Sequence, residues 1–227
     1  MKPKAFDYES LLPLKQALID VGRFCHARGW SDATSSNYSV RLSVDPLRLL
    51  ITASGRHKGR LGEDDFVVVD DTGQAVAPGP GRPSAETMLH VAAASTTNVG
   101  AVLHTHSVWS TVLSAQYFEQ GHVELTGYEM LKALEGIDTH EARVRLRIYD
   151  NTQNIARLAA QVAADLRDPA RPLRYGLLMR AHGLYTWGVD LGEAQRQLEA
   201  IEFLLEVVGR RVTWPKDPLG ARLPGGA

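Results

Sequence analysis

The stretch GAVLHTHS, residues 100–107, joins an apolar strand pattern to two histidines. Side chains two positions apart in a β-strand point to the same face, so His104 and His106 can converge on one ion. A third histidine, His182, lies in LLMRAHGLYTWG, residues 177–188, where Gly183 permits a tight reversal of the chain. Three histidines form the ligand set of an open catalytic zinc site, although Fe²⁺, Co²⁺ and Ni²⁺ also suit such a set. We therefore predict one Zn²⁺ per subunit at these three histidines.

The segments around the histidines alternate between helices and short strands. Apolar residues spaced three and four apart predict long helices over residues 8–28 and 190–211, with shorter ones capped by Ser84, by Ser107 and by Asn151 or Thr152. TGYEMLKALEG predicts a short helix that ends at Gly136. Strands are predicted in YSVRL, LLITAS, FVVVD, GAVLHT, VRLRIYD, YGLLMR and the segment after AHG, with QAVA as a returning strand. Some connecting turns are too short for parallel crossovers, so we expect an α/β domain with a mixed, largely antiparallel sheet.

Composition places limits on the organisation and partners of the chain. We predict a single domain over residues 1–227, with its core at about 8–211, a loop at PGPGRP (78–83) and a loosely held Pro/Gly-rich tail at 212–227. The formal net charge of −1 does not favour nucleic acid or an anionic membrane as a partner. Cys25 is the only cysteine, and the N-terminal stretch lacks an apolar signal core, so we expect a cytoplasmic protein.

Three short segments combine small residues with hydroxyl or amide groups: SSNYS, TASGR and RPSAE. Backbone N–H groups, Ser hydroxyls and an Asn amide can bind a phosphate group without a large net charge. The candidate phosphate contacts are Ser36, Asn37, Ser54, Gly55 and Ser84, with positive charge from Lys58 and Arg56. Each segment taken singly also fits a plain turn. Together with a metal site, they predict a phosphorylated small-molecule substrate.

These pieces, in this order, resemble the class II aldolase/adducin family: SSNYSV, TASG, PSAE, HTHS and AHGLYTWG. The resemblance spans about residues 10–210, with one departure, since Ser36 stands where the family usually has Gly. It implies a three-layer α/β/α domain around a mixed sheet, a homotetramer with active sites at subunit boundaries, and His104, His106 and His182 as zinc ligands. The family includes sugar-phosphate aldolases, an epimerase, dehydratases and non-catalytic adducin modules, and three intact candidate ligands disfavour the last.

Two carboxylates compete for the role of acid/base. Glu86, in PSAE, matches the position that resembles the aldolase acid/base. Glu129, in EMLKAL, matches the glutamate of a similar segment in the methylthioribulose-1-phosphate dehydratase branch of the family. The second resemblance implies a metal-dependent lyase of methionine salvage that eliminates water from a phosphorylated ketose, with Glu129 as acid/base and Lys132 beside it. Tyr128, Met130, Tyr185 and Trp109 are candidate contacts for the methylthio group. The other five histidines, including His90, are expected to serve only in hydrogen bonding or at the surface.

Overall fold

The structure is a computed structural model that describes residues 9–77, 81–96, 98–170 and 172–213. Its centre is a single eight-stranded sheet in the order β3-β2-β1-β4-β8-β7-β6-β5. The strands are β1 Asn37–Val44, β2 Leu47–Thr52, β3 Phe66–Val69, β4 Ala101–Thr105, β5 His122–Thr126, β6 Arg143–Tyr149, β7 Gly176–Met179 and β8 Gly183–Gly188. Among these strands only β6 and β7 pair in parallel, which confirms the prediction of a mixed, largely antiparallel sheet.

Helices cover both faces of the sheet and produce the expected three layers. The α-helices are α1 Leu12–Ala27, α2 Thr87–Ala94, α3 Val108–Gln116, α4 Ile155–Leu166 and α5 Leu191–Thr213, and short 3₁₀ helices span Glu9–Leu11, Lys58–Arg60 and Glu129–Ala133. Apolar side chains of α1, α3 and α5 form one buried cluster against the sheet, while α2 and α4 form a second cluster on the opposite face. Strand residues therefore bury both of their faces, which accounts for the continuous apolar runs in β2, β3 and β7.

Several local predictions need correction. QAVA contributes only the isolated bridge between Val69 and Ala75, because the chain leaves the sheet edge after the turn at residues 71–73. Strand β5 was not predicted, since its five residues bury only Val123 and Leu125. Helix α4 is capped by Asn154, whose side chain accepts from the Arg157 N–H, and not by Asn151 or Thr152.

The segment after β5 is a 3₁₀ helix over Glu129–Ala133, and Gly136 follows it with a positive φ of 71°. Helix α5 extends two residues beyond the predicted start of the tail. Residues 78–80 of the predicted loop and 214–227 of the predicted tail lie outside the described residues. Within the described part of the chain, no helix is both long and apolar enough to cross a bilayer.

Candidate active site

The three predicted histidine ligands meet at one edge of the sheet. His104 is in β4 and His106 directly follows it, while His182 lies in the turn between β7 and β8, which pairs with β4. The Nε2 atoms of His104 and His106 are 2.8 Å apart, and those of His106 and His182 are 3.1 Å apart. Three nitrogens on a tetrahedral Zn²⁺ would stand about 3.3 Å apart, given Zn–N bonds of about 2.0–2.1 Å. The three side chains are thus arranged as the open face of a metal site.

Close backbone packing positions His182. A Cβ at Gly183 would lie 2.0 Å from the Thr105 carbonyl oxygen, so only glycine allows β8 to approach β4 here. Ala181 has a positive φ of 49°, which closes the tight turn before His182. Helix α3 holds this turn from one side, since the Ser114 hydroxyl accepts from the Ala181 N–H and Thr111 donates to the His182 carbonyl. The reversal predicted at AHG is confirmed.

The donor set suits a divalent ion chemically. The Nδ1–H of His104 donates to the Leu184 carbonyl over 2.9 Å, which leaves the lone pair of its Nε2 directed at the other two histidines. Burial lowers the pKa of His106 to about 4 and holds that of His104 well below its ordinary value. Both imidazoles are therefore neutral at physiological pH, which is the form that binds metals. Tyr185 stacks on His104 at a centroid distance of 3.9 Å and fixes the plane of the ring.

Glu86 adds a carboxylate to the open side of the triad. Its Oε1 lies 3.1 Å from His182 Nε2 and its Oε2 lies 3.5 Å from His104 Nε2. Burial opposes the charge of Glu86, but hydrogen bonds from His182 and from the Asn37 amide outweigh burial and hold the pKa of Glu86 well below its ordinary value. Helix α2 begins at Thr87 rather than after Ser84, because the Glu86 N–H and Thr87 N–H are both turned back onto Ser84. Glu86 thus occupies the N-cap position, with its side chain against the triad.

The three segments proposed as anion loops meet beside Glu86. Asn37 Nδ2 lies 3.5 Å from Ser84 Oγ, and the Ser54 N–H donates to the Arg82 carbonyl over 2.9 Å. Lys58 is buried and donates to the Arg56 carbonyl over 2.6 Å and to the Thr34 carbonyl over 3.4 Å. Burial lowers the pKa of Lys58 to about 8, which still leaves it mostly charged at pH 7. A cationic group and several small polar groups therefore surround one corner of the site.

Two of the small residues in these loops adopt left-handed backbone conformations. Gly55 has a φ of 74° and Ser36 has a φ of 71°. A positive φ is costly for a residue with a Cβ and free of strain for glycine. This conformation explains why a Gly would fit the position that Ser36 occupies. The Ser36 hydroxyl donates to the Trp30 carbonyl over 3.3 Å.

Glu129 and Lys132 lie apart from the triad. Their side chains form an exposed ion pair of 2.6 Å, which lowers the pKa of Glu129, and His140 Nδ1 lies 3.9 Å from the other oxygen of the carboxylate. Thr126, at the end of β5, pairs with Arg143 at the start of β6, whereas the triad is level with Tyr149 at the other end of that strand. The six-residue separation corresponds to about 20 Å along β6. Within one chain, Glu86 is the carboxylate that contacts the triad.

The four side chains proposed to receive a methylthio group are also separated. Tyr185 is buried against His104, and Trp109 packs on α5, where a Cβ at Gly209 would lie 2.1 Å from its ring. Tyr128 and Met130 flank Glu129 in the segment that follows β5, whereas the triad lies at the ends of β4 and β7. The residues Tyr128, Glu129, Met130, Ala133, Phe203 and Val207 line one open cavity of about 560 Å³ that is almost entirely apolar.

Two buried features of the site were not predicted from the sequence. Behind the triad, Thr105 donates to Glu202 Oε1 over 2.7 Å, and burial raises the pKa of Glu202 to about 7, although the Ser107 and Thr105 hydroxyls partly offset it. On the other side, Ser39 Oγ lies 2.8 Å from His90 Nδ1, and His90 Nε2 contacts Asn37 Oδ1. Spacing carried a signal for the second feature, because His90 is one helical turn after Glu86 and Ser39 is two strand positions after Asn37.

Comparison with known proteins agrees with this arrangement. The model of the Class II Aldolase and Adducin N-terminal domain matches residues 16–208, which is most of the chain. The chain belongs to this family. The resemblance noted in the sequence is therefore confirmed, and the histidine triad, Glu86 and the three small-residue loops all lie within the matched residues.

Two relatives with about half of their residues identical to this chain share the same name. A protein of Pseudomonas fluorescens named methylthioribulose-1-phosphate dehydratase is 53% identical over 194 residues, which are 85% of this chain and 90% of that protein. A protein of the same name from Sorangium cellulosum is 48% identical over 207 residues, covering 91% of this chain and 96% of the relative. Such identity over nearly the full length of both chains indicates the same domain with few large insertions.

Solved structures of the class II aldolase family share the fold. The crystal structure of L-fuculose-1-phosphate aldolase from Thermus thermophilus superimposes with a TM-score of 0.69 at 24% identity, covering 89% of this chain and 97% of that chain. A putative aldolase/epimerase/decarboxylase from Klebsiella pneumoniae gives a TM-score of 0.71 at 21% identity, covering 94% of each chain. The three-layer α/β/α architecture predicted for this chain is confirmed.

Proposed function

We propose that this protein is a metal-dependent lyase that removes water from 5-methylthioribulose 1-phosphate to give 2,3-diketo-5-methylthiopentyl 1-phosphate, a step of methionine salvage. The observation that carries the proposal is the identity of about half of all residues to relatives named for this activity, over 85% or more of this chain. The convergence of three histidines, a carboxylate and three small polar loops at one sheet edge supports it.

His104, His106 and His182 would hold the metal, for which Zn²⁺ is our proposal. A partly buried three-histidine set fits a divalent ion with an open coordination position. When bound, such an ion would act as a Lewis acid towards the substrate's C2 carbonyl and the adjacent C3 hydroxyl and make the C3 hydrogen more acidic. Glu86 stands on the open side of this set, so it would either share the ion or give way when substrate binds.

The phosphate group would bind where the three loops meet. Ser36, Asn37, Ser54, Gly55 and Ser84 present hydroxyl, amide and backbone donors around this corner, and Lys58 supplies a positive charge there. Backbone N–H groups with a nearby cation suit a phosphate dianion. A substrate anchored there by its C1 phosphate would have its C2 and C3 oxygens near the triad.

The elimination requires a base at C3 and an acid at the C4 hydroxyl. We propose that Glu129 takes the C3 proton, the C–H electrons form the C3–C4 double bond, and the C4 hydroxyl leaves with the proton that Glu129 carries. Water is thereby released, and the resulting enol loses the proton of its C3 hydroxyl and gains a proton at C4 to become the diketone. Lys132, held 2.6 Å from Glu129, would orient the carboxylate.

Because Glu129 pairs with Lys132 and His140 and not with its own triad, we propose that it serves the triad of a neighbouring subunit in a homotetramer. Two exposed apolar surfaces support this arrangement. Met130 and Phe203 are 37% and 46% exposed beside Glu129, while Val108 and Val112, near the triad, are 66% and 45% exposed. Contact between two unlike surfaces forms a closed ring of subunits when the rotation closes. Tyr128 and Met130 would accompany Glu129 and face the methylthio group.

A sugar-phosphate aldolase with Glu86 as acid/base is the second candidate, because Glu86 is the carboxylate in contact with the triad. The identity of about half of all residues to relatives named methylthioribulose-1-phosphate dehydratase favours the first candidate over this one. The direct test is to incubate metal-loaded protein with 5-methylthioribulose 1-phosphate and to identify the products by mass spectrometry. We expect the diketone phosphate. Cleavage into two shorter fragments, without diketone, would instead establish the aldolase.

Subunit complementation tests the role of Glu129. Glu129→Gln should lower kcat at least a hundredfold with metal content unchanged, whereas Glu141→Gln, an exposed glutamate on the same connection, should retain activity. Glu129→Gln and His182→Ala chains, each inactive alone, are then co-expressed in equal amounts. If the base comes from a neighbour, about one quarter of the sites combine an intact triad with an intact Glu129 and activity returns to about that fraction. No recovery would place the base in the same chain as the triad.

A further inference from the structure

A buried hydrogen-bonded chain leads from the core of the domain to Glu86. Ser39, His90 and Asn37 are 1%, 0% and 4% exposed. Ser39 Oγ lies 2.8 Å from His90 Nδ1, His90 Nε2 contacts Asn37 Oδ1, and Asn37 Nδ2 donates to Glu86 Oε2 over 2.9 Å. The metal triad does not include these three residues. The chain therefore links the site to groups that would otherwise be ordinary core residues.

The direction of donation along this chain follows from the orientation of the Asn37 amide. Its Nδ2 lies towards Glu86 Oε2 and donates to it, so its Oδ1 lies towards His90 Nε2. Oδ1 in turn can only accept, so His90 must carry its proton on Nε2. Burial lowers the pKa of His90 to about 4, which leaves the ring neutral with a single N–H. Its Nδ1 is consequently an acceptor, and it receives the Ser39 hydroxyl proton.

The opposite arrangement is unfavourable at each step. A His90 ring protonated on Nδ1 would present a lone pair to Asn37 Oδ1, and relief of that repulsion would require the amide to rotate. A rotated amide would direct Oδ1 at the Glu86 carboxylate, with two acceptors about 2.9 Å apart in a buried environment. Only the order Ser39 to His90 to Asn37 to Glu86 satisfies all four side chains.

We propose that His90, supported by Ser39, is a positioning residue that fixes the Asn37 amide as a hydrogen-bond donor towards Glu86 and towards the phosphate group of the bound substrate. The second half of this statement rests on the proposed function. Asn37 Nδ2 has two protons: one is used by Glu86, and the other faces the corner near Ser84 Oγ, 3.5 Å away, where the phosphate loops meet. His90 thus ensures that Asn37 acts as the donor in its contact with Glu86, although His90 does not touch Glu86 itself.

Packing alone is the competing role for His90. Its ring lies edge-on to Tyr185 at a centroid distance of 5.8 Å, and Tyr185 stacks on the metal-ligand candidate His104. A packing role needs only a side chain of similar size, whereas a positioning role needs an N–H at the Nε2 position. Gln places its own Nε2 the same number of bonds from Cα and retains the donor, while Met has similar length and no donor. The pair His90→Gln and His90→Met therefore separates the two roles.

The first measurement is made on metal-free protein and needs no substrate. Long-range ¹H–¹⁵N correlation spectra of protein labelled with ¹⁵N-histidine report which ring nitrogen carries the proton, and His90→Gln identifies the His90 signals by their loss. We expect the neutral Nε2–H form between pH 6 and pH 8. A neutral Nδ1–H form or a charged ring in this range would overturn the proposal.

The second measurement compares turnover. His90→Met should lower kcat/KM about tenfold, as expected for one misdirected hydrogen bond to a charged group, with metal content unchanged. His90→Gln should remain within about threefold of the parent. Equal losses in both variants would show that ring packing, and not donation, is what matters, and would overturn the positioning role. If the parent itself does not convert 5-methylthioribulose 1-phosphate, the proposed function fails, while the tautomer measurement still decides the assignment of donation.

Discussion

Glu202 should make the stability of this protein fall as the pH rises. Its carboxyl group is buried beneath the HTHS segment, and in the folded protein its pKa is raised from 4.5 to about 7. Between these two values the folded protein retains a proton that the unfolded chain releases. The resulting stabilisation is present at low pH and is lost as the pH approaches the folded pKa.

The size of the effect follows from the two pKa values. Stability falls by at most about 1.4 kcal/mol per pH unit, so the full interval amounts to about 3.4 kcal/mol. About 2.5 kcal/mol of this loss falls between pH 5 and pH 8. Glu202→Gln retains an acceptor oxygen for the Thr105 hydroxyl and cannot ionise, so this variant should lack that component. At pH 8 it should equal or exceed the parent in stability.

The assay is urea denaturation of metal-free protein at a fixed concentration from pH 5 to pH 8, because metal binding and subunit association both shift apparent stability. The free energy of unfolding of the parent minus that of Glu202→Gln cancels the contribution of the buried histidines, which are common to both. Glu141→Gln is the matched control, since Glu141 is an exposed glutamate on the connection between β5 and β6. A difference that stays constant within about 0.5 kcal/mol over this range would refute the reasoning.

Metal binding, backbone packing and thiol reactivity provide three further tests. His182→Ala should bind almost no metal by elemental analysis, and adding metal should no longer raise its Tm. Full metal occupancy in this variant would place the third ligand elsewhere. Gly183→Ala should lower the free energy of unfolding by at least about 3 kcal/mol, because its Cβ would lie 2.0 Å from a backbone oxygen, whereas Gly192→Ala in the first turn of α5 should have little effect. Cys25 is buried and burial raises its pKa to about 12, so iodoacetamide at pH 8 should label it only after denaturant is added; rapid labelling of the native protein, seen by mass spectrometry, would contradict its burial.

The elements of this fold that depend on nearby residues were predictable from the sequence. The period of apolar residues identified the long helices and most strands, and the predicted start of a helix near Ser107 is confirmed, since Ser107 caps α3 and accepts from the Ser110 N–H. The strand pattern before His104 and the glycine after His182 were sufficient to predict that three histidines meet. Strand β5 was missed because five residues with two buried side chains carry too little periodicity.

What the sequence determined by itself is the chemistry available: three histidines at strand ends, small polar loops and two candidate carboxylates. Only the tertiary structure decided which of these groups meet. It brought Glu86 into contact with His104 and His182, and it placed Glu129 in a separate 3₁₀ helix, paired with Lys132. The spacing of Glu86 and His90, and that of Asn37 and Ser39, predicts that each pair shares a face. Nothing local indicated that the two pairs join into one series of hydrogen bonds. The physical reason is that periodicity reports the face on which a side chain lies, whereas strand order and register, fixed by packing across the whole core, select the partner it meets.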